Sequence, residues 1–241
     1  MLIRRSSYRT PATVSLSWAR LEGWLSHNIP SKLHALRAGA PEIQIRNLEN
    51  VIGQKLPDDV RESLRIHNGQ GSPDAGVIYR CTLCNVGEIL SNWRCWVEEI
   101  LPQQESDPEL WGLDSYTAEP AETIALLYAT RGWIPLHNWD GDHFGVDLNP
   151  GPRGMIGQVI NFGRHAEAKC VLAPSWAHFL EDVADELEAG NFLLEFDDAE
   201  QITKFCPKDP VCADDQFPNG FSSWSIAKLP DDFCSLTDHG R

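Results

Sequence analysis

Asp140-Gly141, set between two apolar-rich runs, constrains the chain more than any other feature. A two-residue hairpin turn needs positive φ at both central positions, which aspartate tolerates and glycine prefers. With that turn as origin, Trp139 faces Asp142, His137 faces Phe144, Pro135 faces Val146 and Trp133 faces Leu148. This register gathers Trp133, Trp139, Phe144, Val146 and Leu148 on one core-facing side. A turn at 149–152 leads to a third strand over 156–162, and 170–172 adds a short fourth.

Helical periodicity surrounds these strands. Thr13 or Ser15 caps a first helix after Pro11, with Trp18, Leu21, Trp24 and Leu25 as its buried stripe. Pro30 interrupts it, and Leu33 and Leu36 continue an apolar face. A second helix covers 42–52, with Ile43, Leu48, Val51 and Ile52 apolar, and stops at Gly53. Pro57 then opens a helix whose Asp58 and Asp59 suit its positive end, with Val60, Leu64 and Ile66 inward and Asn68-Gly69 as its stop. A turn-rich loop over 69–76 precedes a short strand at 77–82. A helix carrying Trp93, Trp96, Val97 and Ile100 ends at Pro102, and 103–122 reads as a surface excursion. Pro174 opens a last helix with Trp176, Phe179, Leu180, Val183 and Leu187, closed by Gly190. Helices, a run of strands and a final helix define an α+β class: an antiparallel sheet of about four to six strands with flanking helices. Beyond about Phe205 the periodicity is lost, which predicts an extension wrapped on the body or partly disordered.

Charge excludes several function classes. The chain has 241 residues and a net charge of −15, the wrong sign for non-specific nucleic-acid binding or an anionic membrane surface. Apolar runs such as 124–127 and 192–194 are far shorter than the roughly 20 residues that span a bilayer. Residues 1–40 carry +5, residues 41–170 carry −9 and residues 171–241 carry −11. Arg4, Arg5, Arg9 and Arg20 with neighbouring serines have transit-peptide chemistry, but a basic helix packed on an acidic body is the simpler reading. Seven cysteines, an odd number without a secretory leader, point to free thiols and a cytoplasmic location.

No catalytic or cofactor motif emerges. There is no G-x-S-x-G, P-loop or G-x-G-x-x-G, and the histidines lack metal-ligand spacing. Asp140, Asp142 and Asp147 resemble a calcium loop only until Phe144 and Gly151 fall where oxygen ligands are required. Cys81-x-x-Cys84 lacks a second ligand pair, so both thiols read as small apolar fillers. The expected cofactor and metal content is none.

The segment Leu48-Glu49-x-x-Ile52-Gly53-x-x-Leu56-Pro57-Asp58-Asp59, followed by Asn68-Gly69, resembles the opening of the Smi/Knr-type domain of the SUKH superfamily. Trp133-Ile134-Pro135-Leu136, Asp140-Gly141-Asp142 and Gly145-Val146-Asp147 are similar to its central hairpin. Gly157-Gln158-Val159, the 176–179 helix start and Gly190-Asn191-Phe192 are similar to its last strand and closing helix. The resemblance covers about 42–195 and sets expected limits: an N-terminal helical extension over 1–41, the domain over 42–200 and a C-terminal extension over 201–241. It implies a non-catalytic protein-binding domain. Bacterial members of that superfamily neutralise toxins, many of them nucleases, whereas fungal members regulate cell-wall synthesis as scaffolds. The resemblance and the acidity together lead us to expect an immunity protein against a basic toxin domain, with a cell-wall regulator or signalling scaffold as the alternative. The expected partner contacts are the hairpin tip (Trp139, Asp140, Asp142), the pair Asp58 and Asp59, and the acidic run Asp197, Asp198 and Glu200.

Overall fold

A computed structural model describes residues 10–71, 76–78, 81–197 and 202–207. Thr13 Oγ1 accepts the Leu16 amide and starts α1 (Val14–Asn28). Val14, Trp18, Leu21 and Leu25 are buried, and Trp18 Nε1 donates to Ser63 Oγ at 2.9 Å. The short α2 (Pro30–Ala35) buries Lys32, whose ammonium donates to the Gly76 carbonyl. In α3 (Glu42–Ile52) the inward stripe is Ile45, Leu48, Glu49 and Ile52. Ile43 and Val51, apolar in the sequence, are exposed, because the residues at i, i+3, i+4 and i+7 from Ile45 take the core side. Gly53 ends the helix at φ 73°. Helix α4 (Asp58–Ile66) then buries Val60, Ser63 and Leu64.

Strand β1 (Thr82–Leu83) is shorter than the expected 77–82. Cys81 and Cys84 flank it, both buried in the core, and burial pushes the Cys84 thiol up to about 12. Asn85 and Glu88 form a reciprocal cap on α5 (Val86–Arg94). The helix does not stop at Pro102. It widens into a π-helical turn (Cys95–Ile100), closed by the Leu101 N–H on the Trp96 carbonyl, and continues as α6 (Leu101–Ser106) with Pro102 in its first turn. The expected excursion over 103–122 contains two 3₁₀ turns and an edge strand, β2 (Thr117–Glu119).

Strands β3 (Trp133–Trp139), β4 (Asp142–Asp147), β5 (Gln158–Gly163) and β6 (Ala168–Ala173) complete a six-stranded sheet in the order β1-β3-β4-β5-β6-β2. Every pairing is antiparallel except that of β2 with β6. The hairpin turns through Asp140 (φ 49°) and Gly141 (φ 84°), as expected. Trp139 faces Asp142 and His137 faces Phe144, but the register then slips: Pro135 meets Gly145 and Trp133 meets Asp147. Leu136 is the extra residue, a β-bulge that the even alternation concealed.

The bulge divides the hairpin's side chains between two layers. Ile134, Leu136, Phe144 and Val146 join Val159, Leu172 and the helices in the main core. Trp133, expected beside them, lies in a second cluster on the other face with Ile160, Phe162, Val171 and Ile124. Over the main core lies α7 (Trp176–Glu188), capped by Ser175 and burying Phe179, Leu180, Val183 and Leu187. Arg20 of α1 reaches Asp185 at 2.8 Å and Glu188 at 2.6 Å on α7, tying the first helix to the last. A separate antiparallel ribbon follows, β7 (Phe192–Asp197) with β8 (Ile202–Pro207). The expectations for the tail beyond 207 and for Arg4, Arg5 and Arg9 lie outside the described residues. Gly145 sits opposite the bulge, where an added Cβ would run into the Ile134 carbonyl oxygen. Gly145→Ala is expected to cost about 3 kcal/mol or more, checked by urea unfolding.

Candidate partner-binding site

The residues singled out in the sequence fall in three places. At the hairpin tip, Asp140 is exposed and Trp139 is half-buried against the main core. Asp142 is only 3% exposed; its carboxylate accepts the His165 amide and meets His165 Nδ1, both at 2.9 Å. It therefore fixes the 163–166 turn against the hairpin. On α4, Asp58 is exposed, whereas Asp59 accepts its neighbour Val60 N–H and the Ala177 N–H in the first turn of α7. That contact joins two helices 118 residues apart at the positive end of α7. Asp197 ends β7; Asp198 and Glu200 lie outside the described residues.

The other motif residues are ties of the same kind. Glu49 accepts the Leu56 N–H at 3.0 Å and pairs with Arg61, fixing the loop between α3 and α4. Arg65, Arg46 and Arg61 converge on Glu42, and the Arg65 guanidinium foremost holds that carboxyl below the usual carboxylate range. Asn68 Oδ1 accepts the Val86 N–H, and Gly69 (φ 71°) lies where any Cβ would strike the Asn85 backbone. Gly157, at φ 89°, would place a Cβ 3.3 Å from the Pro57 ring.

Sequence reasoning missed a polar and aromatic layer on the outer face of the sheet. Trp96 Nε1 donates to His143 Nε2 at 3.0 Å, and His143 Nδ1 lies 3.0 Å from the His137 carbonyl oxygen. Both contacts require a neutral ring protonated at Nδ1, and burial pushes the His143 pKa down to about 4. Tyr128 packs between Trp96 and Trp111, with ring centroids 5.2 and 4.5 Å away. Lys169 is 1% exposed: its ammonium donates to the Ala166 carbonyl and lies 4.9 Å from the Tyr116 and Trp133 ring centroids. Burial pushes its pKa down to about 7. The only available signal was period two along 168–173, which places Lys169 and Val171 on one face.

Beside this layer, a groove of about 460 Å³ runs between α6, the 127–132 segment and the end of β4, lined by Leu101, Gln104, Leu127, Arg131, Leu148 and Asn149. Gln104 bonds to the backbone of Tyr128 and Ala129 and forms its wall. None of the sequence-predicted contacts lines it. Among the described residues no group of three or more His, Cys, Asp or Glu side chains could hold a metal ion, and no helix is long and apolar enough to cross a membrane.

Two measurements probe these ties. Glu49→Ala leaves the buried Leu56 amide without its acceptor and Arg61 with Glu42 alone, and is expected to cost about 2 kcal/mol in urea unfolding. Glu49→Gln, which retains an acceptor, is expected to cost less. For Lys169 the folded pKa lies below the unfolded value of about 10.4, so unfolding takes up a proton above pH 7. Stability contributed by this group rises with pH from 7 to 8.5, by up to about 2 kcal/mol. Lys169→Met flattens that slope in urea titrations across the same window.

Comparison with known proteins gives a consistent picture. The family described as SMI1 / KNR4 family (SUKH-1) matches residues 39–182. The chain is 38% identical over 197 residues to the "Cell wall biosynthesis/cell cycle regulator smi1" of Schizosaccharomyces pombe, covering 78% of this chain and 39% of that protein. It is 32% identical over 213 residues to a "Glucan synthesis regulatory protein" of Neurospora crassa, covering 76% and 40%. It is 27% identical over 208 residues to the "Cell wall assembly regulator SMI1" of Saccharomyces cerevisiae, covering 74% and 41%. The chain thus spans about two fifths of the length of these relatives. With the family match running from Gly39, just before α3, into α7, the chain belongs to the SMI1/KNR4 family (SUKH-1).

Proposed function

We propose that this chain is a non-catalytic protein-binding domain that regulates cell-wall or glucan synthesis. The observation that carries this reading is the 38% identity, over 78% of the chain, to a protein named a cell wall biosynthesis and cell cycle regulator. Of the two roles the resemblance implied, the relatives' names favour the regulator over the toxin-neutralising protein. The geometry supports binding rather than chemistry: Asp142, Asp59 and Glu49 hold backbone amides of this chain. The proposed partner-facing acids are the exposed Asp58 and Asp140, with half-buried Trp139 beside the latter. Asp59 and Asp142 act behind them as positioning residues, and Asp197, Asp198 and Glu200 are further proposed contacts. A net charge of −15 favours partners with basic surface, because complementary charge speeds encounter.

Affinity capture of the tagged chain from its source cells, at low and high salt, tests the reading by mass spectrometry. Wall-synthesis or signalling proteins, retained at low salt and reduced at high salt, are expected. A single toxin-like partner would return the assignment to the immunity role. Asp58→Asn with Asp140→Asn, which keeps a helix-start residue and one that tolerates positive φ, is expected to lower capture several-fold while the melting temperature changes by no more than a few degrees.

A further inference from the structure

The ribbon of β7 and β8 carries an apolar side. Strand alternation puts Phe192, Leu194 and Phe196 on one side of β7, with Thr203 of β8 in register with Phe196. The apolar side starts on the main core, where Phe192 is 8% exposed, and runs outward to Leu194 and Phe196, 45% and 58% exposed. A two-stranded ribbon with its apolar face in water is marginally stable. Its register also sets Pro207, the last described residue, opposite Phe192 at the root of the ribbon, beside the core.

We propose that the apolar face carrying Leu194 and Phe196 is the docking surface for the segment 208–241 of this same chain. That segment supplies 34 residues, and Phe217, Phe221, Trp224, Ile226 and Leu229 give it the apolar side chains to fill the face. The ribbon is about 20 Å long at roughly 3.3 Å per strand residue. Residue 217 stands ten positions beyond Pro207, so it can reach the ribbon's far end from the root. The face and segment are joined, so they meet at the high effective concentration of an intramolecular contact.

Hydroxyl-radical footprinting of the full chain tests this by side-chain oxidation at Leu194 and Phe196. Phe144, fully buried, and Ile156, 77% exposed, serve as internal references. The expected result is oxidation at least five-fold slower than that of Ile156 after correction for intrinsic reactivity, independent of protein concentration. In the full chain with Phe217, Phe221, Trp224 and Ile226 changed to Ser, Leu194 and Phe196 rise to the exposed rate while Phe144 stays protected. Phe144 also reports whether the variant has kept its fold. A second variant, Leu194→Ser with Phe196→Ser, is expected to speed proteolysis within 208–241 and leave the melting of the main domain unchanged. Oxidation already at the exposed rate in the unaltered chain would overturn the proposal. Protection that grows with protein concentration would assign the face to a second copy, and protection only with an added partner would assign it to that partner; either also overturns it.

Discussion

The sheet is covered on both faces, and the rest of the molecule follows from that constraint. A strand with one solvated face alternates apolar with polar residues, but here both sides must carry side chains fit for burial. The bulge at Leu136 makes this possible in β3, because Leu136 and His137 both turn toward the main core while Trp133 serves the opposite layer. His137 stacks on Phe144 with ring centroids 4.1 Å apart and is wholly buried, so burial holds its pKa well below the usual histidine range. The outer layer, from Trp96 to Lys169, is the counterpart of that arrangement. It places polar atoms at depth and gives several of them partners: Trp96 to His143, His143 to a carbonyl, Lys169 to a carbonyl and two rings.

The residues that make the chain recognisable as a family member serve chiefly to hold it together. Glu49 closes the α3–α4 loop, Asn68 receives the start of α5, Asp59 receives the start of α7, and Gly157 lets its loop pass Pro57. The hydrogen-bonded ties span from 7 residues, Glu49 to Leu56, to 118, Asp59 to Ala177, and each tie ends on a backbone amide or a close approach. Such positions tolerate few substitutions whatever the partner. Asp58 next to Asp59 and Asp140 next to Asp142 face outward instead, so within one motif a tie and an exposed carboxylate lie one or two residues apart.

Much of the fold was legible because its signals are local. Thr13 as a cap, Gly53 and Gly190 as stops, and Asp140-Gly141 as a turn each act within a few residues, and the structure places all four as expected. The bulge was not legible, because an unpaired residue shows only in the partner strand's register. Pro102 misled for a related reason: proline stops a helix in its interior but not in the first turn after a widened one. Ile43 and Val51 look like core residues until Ile45 and Glu49 are known to face inward, and Glu49 does so only because Arg61 and the Leu56 amide meet it there. Of the candidate site, residue identities were legible but their exposure was not. Asp142 and Asp59 read as surface carboxylates because nothing local reveals that His165 and Ala177 will arrive from far along the chain.

The two outermost strands of the main sheet, β1 and β2, have two and three residues. A sheet edge is a template on which another chain can lay down a strand, and its potency grows with the run of unpaired amides it offers. Edges this short give a newcomer too few hydrogen bonds to offset the order it must accept. The main sheet is thus guarded against growing into a fibre by the brevity of its margins, and Pro120 follows directly on β2. The six-residue strands of the ribbon are the longer template, and any strand-by-strand association of this protein would begin there.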